Sequence, residues 1–392
     1  MNPDRTRPLR VIVVTSSYNY IKDGVALTMN RLVEYLERQG VEVLVIAPVA
    51  DVPAFAHSGT VIPVPSVALP VRPEYRLALG LPLDVQQKMA AFKPDIVHVA
   101  VPDILGYRAL QVARRLKVPV VASYHTRYET YLRHYWYVSG LAPVVAWHLR
   151  RFYAACREVY VPTASMADTL LASGHRNNIR LWPRGVDAAR FHPDKRSAQW
   201  RAKYGIGPDE MVVLQVSRLV REKRIDTLAD TMRALRNRGI AHKCLIVGDG
   251  PDRLALEKSL PDAMFTGFLD GDELGRAYAS SDVFVFPSDT ESFGNVTLEA
   301  MASGLPCVCA DATGSRSLVV DGETGFLADV GRADEFASHI ARLATEPELR
   351  RRMGAAARAR SLGFAWDETM ARVLGYYRSL LSGPDQTLRA AA

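Results

Sequence analysis

Two glutamates, Glu291 and Glu299, stand out as residues whose spacing could serve chemistry. They bracket Phe293, Gly294 and Asn295, which lie where a polar loop becomes a helix. Main-chain amides at a helix N-terminus point outward and carry a positive partial charge, so they can hold a phosphate. A carboxylate beside such an anion site would repel the anion unless it has a neutral partner, such as a sugar hydroxyl. The stretch therefore indicates a ligand that is both phosphorylated and rich in hydroxyl groups.

The elements that must position these residues are those of a parallel α/β sheet. An apolar strand over 282–286 precedes the loop, and a short helix is predicted from about Val296 to Gly304. An earlier apolar strand leads directly into Arg218 and Lys223, which lie at a second strand–helix junction. Ligands of open α/β sheets bind at the carboxyl ends of the strands, so we expect these two cations to face the same anion.

Three other patterns carry less information. Gly248-Asp249-Gly250 lacks the third glycine of a dinucleotide fingerprint. Asp270-Gly271-Asp272 has the form that some sugar transferases use to hold a divalent metal, but it fits a turn and a helix start better. The cysteines show no metal-ligand spacing beyond one Cys-x-Cys in an apolar strand, and we expect buried free thiols at Cys156, Cys244, Cys307 and Cys309.

Composition and length favour a folded protein of two domains. The 392 residues are too many for one ordinary core, and 48 % hydrophobic with 23 % charged residues is typical of a globular chain. The longest apolar runs are shorter than the roughly 18–20 residues that a membrane span needs. The polar N-terminus leads straight into a strand without a recognisable signal peptide, so we expect a cytoplasmic protein.

The order of elements predicts where the domains divide. A first α/β domain covers residues 1–190, and the strand–helix pattern restarts in a second domain over 191–365. Residues 63–82 are rich in proline and are predicted to form an irregular surface loop. An amphipathic helix is predicted over 366–382, followed by a disordered tail at 383–392.

Basic and aromatic residues concentrate in the first domain. Residues 1–190 contain 23 Lys and Arg against 14 Asp and Glu, a net charge of +9, whereas the remainder has 26 against 28, a net charge of −2. Aromatic side chains beside cations are typical of a membrane interface, although an amphipathic helix packed on its own domain is an alternative. No recognised nucleic-acid motif accompanies the pattern. The residues expected at an anionic membrane or a lipid acceptor are Arg127, Tyr128, Tyr131, Trp136, Arg150 and Arg151.

Two further residues of the first domain lie where a ligand is expected. His125 follows the carboxyl end of the strand 118–123, although a lone histidine can also be structural. Gly24 opens the first long helix, either as a turn residue or because its backbone must come close to a ligand phosphate.

Taken together, these motifs resemble the retaining glycosyltransferases of family 4. The resemblance covers nearly the whole chain, and its most specific part is the Glu-x7-Glu stretch with its Phe-Gly. It implies the GT-B fold, which has two Rossmann-like, doubly wound parallel-sheet domains facing across a cleft, with the C-terminal helix crossing back to the N-terminal domain. The matching segments are Asp23-Gly24-Val25, His125-Thr126, Ser217-Arg218-Leu219 with Lys223, Gly248-Asp249-Gly250-Pro251, Glu291 through Glu299, and Asp321-Gly322-Glu323-Thr324-Gly325.

The resemblance also implies roles for the matching positions. Glu291 would bind hydroxyls of the donor sugar, Glu299 the ribose, and His125 the transferred sugar. Arg218 and Lys223 would neutralise the diphosphate leaving group. Many members carry Gly-Gly where this chain has Asp-Gly before the first helix. The other positions expected to bind the donor are Gly24, Gly248, Gly267, Phe268, Phe293, Gly294, Asn295 and Val296.

The mechanism implied is retention without a protein nucleophile, in which the leaving phosphate oxygen acts as base; Glu291 as nucleophile is the alternative. No cofactor or metal is expected, because cations and helix amides supply the positive charge. Segments 23–28, 74–79 and 123–128 resemble the branch of glycolipid α-mannosyl-, glucosyl-, glucuronosyl- and sulfoquinovosyl-transferases.

This branch favours a lipid acceptor, diacylglycerol- or ceramide-like, reached by an enzyme peripheral to the inner face of the cell membrane. The donor could be a UDP-sugar or GDP-mannose. A soluble or polysaccharide-precursor acceptor, a non-hydrolysing nucleotide-sugar epimerase and a binding protein without catalysis are the alternatives.

Overall fold

The computed structural model describes residues 7–21, 23–50, 52–69, 75–124, 142–175, 178–291 and 293–382. These residues form two compact units. The first runs to Pro183 and includes the chain from Asp367 onward, and the second runs from Arg184 to Trp366.

In the described ranges, the first unit is built on seven parallel strands in the order β3-β2-β1-β6-β7-β8-β9. The inner strands are buried along almost their whole length, which explains why they appear in the sequence as continuous apolar runs. The strands are β1 (Arg10–Val14), β2 (Glu42–Ala47), β3 (Thr60–Pro63), β6 (Ile96–Val99), β7 (Val120–Ser123), β8 (Glu158–Val161) and β9 (Asn178–Leu181).

Helices cover this sheet, and the four described helices between residues 83 and 172 share one apolar core with its strands. The described helices are α1 (Gly24–Arg38), α2 (Leu83–Phe92), α3 (Ile104–Leu116), α4 (Ala142–Ala154), α5 (Ala164–Ala172) and, from the C-terminus, α14 (Trp366–Ser382).

The prediction of an irregular loop over 63–82 was wrong in part. Two short antiparallel strands, β4 (Ser66–Ala68) and β5 (Arg76–Ala78), form a hairpin there. The amide of Leu79 extends the pairing by donating to Pro65 O at 2.9 Å. The prolines lie outside both strands, so they do not remove a donor from the hairpin ladder.

A buried polar contact attaches α14 to the first sheet. His98, in the middle of β6, contacts the Tyr377 hydroxyl through Nδ1 and Ser123 Oγ through Nε2, both at 2.5 Å. Burial lowers the pKa of His98 to about 3, so the imidazole is neutral. At the start of the helix, Arg38 forms an ion pair with Asp367 at 2.7 Å. These contacts make α14 part of the first unit.

The second unit repeats the architecture with six parallel strands in the order β12-β11-β10-β13-β14-β15. Apolar clusters lie on both faces of this sheet. The strands are β10 (Val212–Val216), β11 (Lys243–Val247), β12 (Met264–Gly267), β13 (Val283–Phe286), β14 (Cys307–Ala310) and β15 (Gly325–Ala328). The helices are α6 (Ala198–Lys203), α7 (Ile225–Asn237), α8 (Arg253–Ser259), α9 (Gly271–Ala279), α10 (Asn295–Ala302), α11 (Thr313–Leu318), α12 (Ala333–Thr345) and α13 (Pro347–Leu362).

Two of the weaker sequence patterns have structural explanations. Asp270 occupies the N-cap position of α9, and Asp272, in its first turn, forms an ion pair with Lys195 at 2.6 Å. The cysteines are buried free thiols, as predicted: Cys156, Cys244, Cys307 and Cys309.

Candidate functional site

Loops at the carboxyl edge of the second sheet carry most of the residues that are expected to bind the donor. The loop after β10 packs on the loop after β11, where the Leu219 amide donates to Asp249 O at 2.9 Å. A side chain on Gly248 would collide with Ser217 O, and one on Gly250 with Leu219 O. The Gly-x-Gly pattern is therefore required by the close approach of two loops, and Gly248 also adopts a φ of +130°.

The predicted cation Lys223 and the predicted sugar ligand Glu291 are bonded to each other. Lys223 Nζ donates to Glu291 Oε1, and the lysine side chain is only 14 % exposed. Arg218 is exposed, and the carboxylate nearest to it, that of Glu222, is 3.9 Å away. One of the two cations is thus held in place by a carboxylate, whereas the other extends into solvent.

Further contacts fix the loop after β10 to the loop after β13. Arg224 donates to Asp289 at 2.8 Å and adopts the left-handed conformation, with φ of 53°. The hydroxyls of Ser288 and Thr290 lie 3.4 and 3.3 Å from Glu222 O. The positions of Lys223 and Glu291 are therefore defined by several bonds beside their own.

The N-terminus of α10 lies directly after Glu291 and Phe293. Phe293 is buried, and Gly294 takes the N-cap position with a φ of +97°. Asn295 is exposed and Val296 half-buried at the first turn. The first-turn amides of a helix have no intrahelical acceptor, so this turn can bind an anion, and the anion site stays a prediction.

Sequence reasoning missed Gly314, in α11. A Cβ at this position would lie 2.8 Å from Glu291 O and 3.0 Å from Phe293 O. The glycine therefore lets α11 support the main chain of the candidate site. A glycine in the first turn of a short helix was the available signal, because it is unfavourable there without a packing reason.

Glu299 occupies a different environment from Glu291. Its Oε2 accepts a hydrogen bond from the hydroxyl of the buried Tyr278 at 3.0 Å. Burial raises the pKa of Glu299 to about 7, although the Tyr278 bond and the charge of Arg190 both oppose this rise. Sequence reasoning missed Tyr278, since nothing but the helical period of α9 distinguishes it.

Gly267 and Phe268, two of the residues expected to bind the donor, lie at the end of β12. Gly267 has a φ of +72°, and its carbonyl accepts from the Gly248 amide at 2.8 Å, so this turn contacts the loop after β11. Phe268 follows and is 76 % exposed. An exposed aromatic ring at this edge can stack on a planar base.

In the first unit, Gly24 is the first residue of α1. Asp23 caps the helix by accepting from the Ala26 amide at 2.7 Å. A Cβ on Gly24 would meet no atom within 4 Å, and the φ of Gly24 is not positive. Neither local backbone geometry nor packing requires glycine here, which favours the interpretation that space is kept for a ligand.

The predicted membrane residues are only partly covered by the structure. Arg150 and Arg151 lie exposed on α4, where the Arg151 guanidinium stands 5.6 Å from the Trp147 ring centroid. The indole is 55 % exposed. The predicted residues outside the described ranges are His125, Arg127, Tyr128, Tyr131 and Trp136, and the tail 383–392 also lies outside them.

Within the described ranges, no group of three or more His, Cys, Asp or Glu side chains is arranged to hold a metal ion. None of the helices in these ranges has the length and apolarity needed to cross a bilayer.

Family models match both units. The model described as Glycosyltransferase Family 4 matches residues 22–190, and the model described as Glycosyl transferases group 1 matches residues 196–360.

Curated relatives match along most of their own length. Sulfoquinovosyl transferase SQD2 of Arabidopsis thaliana is 36 % identical, over 92 % of this chain and 71 % of its own. A GDP-mannose-dependent alpha-mannosyltransferase of Mycobacterium tuberculosis is also 36 % identical, over 95 % and 97 %. Alpha-monoglucosyldiacylglycerol synthase of Acholeplasma laidlawii is 28 % identical, over 87 % and 89 %.

Solved structures share the fold at lower identity. Sucrose-phosphate synthase of Thermosynechococcus elongatus superposes with a TM-score of 0.76 at 22 % identity, covering 95 % of this chain and 99 % of that one. Anabaena HepE, in complex with UDP and glucose, gives 0.69 at 18 % identity, with coverage of 94 % and 99 %. The predicted fold class, two Rossmann-like parallel-sheet domains of the GT-B type, is confirmed. The chain is a glycosyltransferase and belongs to family 4, in the branch that contains the glycolipid α-glycosyltransferases.

Proposed function

We propose that this enzyme transfers a sugar, with retention of configuration, from a nucleotide-sugar donor to a hydroxyl group of a membrane lipid. The donor is a UDP-sugar or GDP-mannose, and the acceptor is diacylglycerol- or ceramide-like. The observation that carries the proposal is the convergence of Lys223, Glu291 and the N-terminus of α10 at one edge of the second sheet.

The donor site follows from the charges at this edge. A diphosphate needs positive partners, and the α10 amides, Lys223 and the exposed Arg218 supply them without a metal ion. Glu291 and Glu299 remain for hydroxyl groups, Glu291 for the transferred sugar and Glu299 for the ribose. Phe268, whose ring is 76 % exposed, is proposed to stack on the base.

Retention is proposed to proceed without a covalent intermediate on the protein. The leaving nucleotide carries negative charge on its phosphate oxygen, and Arg218 and Lys223 stabilise that charge as the glycosidic bond breaks. The acceptor hydroxyl then attacks from the same face and passes its proton to that oxygen. Glu291 is a poor alternative nucleophile, because its Oε1 is already bonded to the Lys223 ammonium. His125 is proposed to contact the transferred sugar.

A lipid acceptor is supported by three observations of different kinds. The names of three relatives describe a sulfoquinovosyl transferase, an alpha-mannosyltransferase and an alpha-monoglucosyldiacylglycerol synthase, and the last name includes a lipid product. Residues 1–190 have a net charge of +9. On α4, Trp147 and the exposed Arg150 and Arg151 form the kind of surface that sits at anionic headgroups.

The decisive experiment is a donor screen that measures nucleotide release, with a total-lipid extract as acceptor. We expect one nucleotide sugar to be consumed only when lipid is present, and Glu291→Gln to remove the activity. Consumption without lipid would favour an epimerase, and consumption with a soluble sugar or polyol would favour a soluble acceptor. Unchanged activity in Glu291→Gln would refute the assignment of the donor site.

Membrane contact is tested separately by co-sedimentation with phosphatidylglycerol vesicles at low salt. Replacing Trp147, Arg150 and Arg151 by alanine should reduce binding, because it removes an interfacial aromatic side chain and two cations. A matched control replaces the exposed Arg233 and Arg351 of the second unit. Equal binding by all three proteins would contradict membrane docking through α4.

A further inference from the structure

An open cavity in the first unit lies among aliphatic side chains. It has a volume of about 300 Å³ and lies between the β4–β5 hairpin, the start of α2 and the side of α3. Leu79 lines it and is 60 % exposed, and Leu83, one turn before the lining residue Gln86, is 70 % exposed. On α3, Ile104 is exposed one turn before the lining residue Arg108. Leu79 thus lines the opening, and Leu83 and Ile104 are exposed one helical turn from residues that line it.

A cation borders this apolar surface. Arg108 is exposed, and Nη1 lies 3.3 Å from Gln111 Oε1. Among the described residues, no carboxylate forms an ion pair with Arg108. A second arginine, Arg115, donates to Gln86 at 3.4 Å on the same side. An exposed arginine without a carboxylate beside three exposed aliphatic residues complements a molecule with an alkyl chain and an electronegative head.

The cavity lies at the edge of the first sheet where a ligand is expected. Pro65, which lines it, follows β3 by two residues, and α3 begins a few residues after the carboxyl end of β6. The neighbouring strand β7 ends at Ser123, two residues before the proposed sugar contact His125. An amphiphile bound here would therefore have its head at the carboxyl edge of the sheet, where ligands of α/β sheets bind.

We infer that this cavity forms an open groove that binds an acyl chain of the lipid acceptor, with Arg108 contacting the oxygen atoms of its head region. The inference rests on the proposed function, which names a lipid acceptor but not the surface that takes its chain. The groove would make the enzyme selective for long chains, because each methylene buried there adds to the affinity for the acceptor.

Photo-crosslinking locates the chain without requiring catalysis. The probe is a diacylglycerol with a diazirine in one acyl chain, incorporated into phosphatidylglycerol vesicles with the full-length protein. We expect the label on the peptides that carry Leu79, Leu83 and Ile104, and we expect Leu79→Ser/Leu83→Ser to reduce it. A label confined to other peptides would overturn the inference.

Chain-length selectivity provides a second test. We compare kcat/KM for dioleoylglycerol with that for dihexanoylglycerol, and we expect Leu79→Ser/Leu83→Ser to lower this ratio roughly tenfold. The matched control is Leu254→Ser, a leucine that is 71 % exposed in the second unit and should leave the ratio unchanged. An unchanged ratio in the double variant would also overturn the inference. If no lipid is glycosylated at all, the proposed function fails, and the labelling result alone decides whether the groove binds a chain.

Discussion

Removing the hydroxyl of Tyr278 should change how donor binding depends on pH. The hydroxyl donates to Glu299 at 3.0 Å and stabilises the ionised carboxylate, whose pKa burial has raised to about 7. If Glu299 binds the ribose, its ionised form is the stronger acceptor for ribose hydroxyls. The donor KM of the wild type should therefore fall as the pH rises through about 7.

The size of the change follows from this one hydrogen bond. A hydrogen bond to a charged group contributes about 1.5–3 kcal/mol, and one pKa unit corresponds to about 1.4 kcal/mol. Tyr278→Phe should thus move the inflection from about 7 to roughly 8 or above. At pH 7 the carboxylate is about half ionised in the wild type and roughly one-tenth ionised in the variant, so the donor KM should rise about fivefold.

The assay measures the donor KM from pH 6 to pH 9.5 for four proteins. Besides the wild type and Tyr278→Phe, these are Glu299→Gln, which cannot titrate, and the control Tyr204→Phe. The Tyr204 ring packs on Trp200, 4.4 Å between centroids, in the same unit. We expect no inflection in Glu299→Gln, and the Tyr204→Phe curve should match the wild type.

The convergence of the curves distinguishes this mechanism from a structural defect. At pH values well above the inflection of the variant, the carboxylate is ionised in both proteins, so the difference in KM between Tyr278→Phe and the wild type should nearly vanish. A constant difference at every pH would mean that the substitution distorts the site. A wild-type KM without an inflection near pH 7 would refute the role assigned to Glu299.

Three further predictions test other parts of the structure. Arg218→Ala and Lys223→Ala should each lower kcat on the order of a few hundred-fold, because each removes charge stabilisation from the leaving phosphate; a loss below tenfold in steady-state assays would contradict this. Gly248→Ala should lower the free energy of unfolding by about 3 kcal/mol or more, because the new Cβ would collide with backbone atoms at a residue of positive φ. The control Gly239→Ala, at a φ of +68° with open space around it, should lower it by only about 1 kcal/mol. Urea titrations measure both values. The pKa of buried His98 lies at about 3, below its ordinary 6.5, so the contribution of His98 to the free energy of unfolding is fully present above pH 6.5 and should fall by up to about 1.4 kcal/mol per pH unit below it. His98→Gln should flatten that fall in thermal melts, and an unchanged slope would exclude His98 as its source.

The parallel sheets could be predicted because burial on both faces leaves a continuous apolar run. Segments such as those of β10 and β13 are therefore visible as strands without any knowledge of their neighbours. The stretch from Glu291 to Glu299 was recognisable for a related reason, since the loop, the helix start and both carboxylates lie within one local segment. The family and fold class were both confirmed; the roles of the individual site residues stay predictions.

What the sequence did not predict depends on contacts between distant segments. Tyr278 reaches Glu299 across 21 positions, and only the packing of α9 beside α10 brings them together. The same holds for Gly314, which is required by the main chain of Glu291 rather than by its own helix. Arg224 and Asp289 also meet only after β10 has paired with β13. Local patterns cannot encode such pairs, since their partners are set by tertiary packing.

The attachment of α14 to the first unit affects the order in which this protein can fold as it is synthesised. The second unit is one continuous segment, so it can fold once its last residues have left the ribosome. The first unit begins to emerge earlier but obtains Tyr377, the partner of buried His98, only after the whole second unit has been synthesised. Until then His98 lacks that partner, and the surface that α14 covers is open to chaperones. Of the two units, the first is therefore completed after the second, and the first unit in isolation should need α14 supplied, by fusion or as a separate peptide, to be stable.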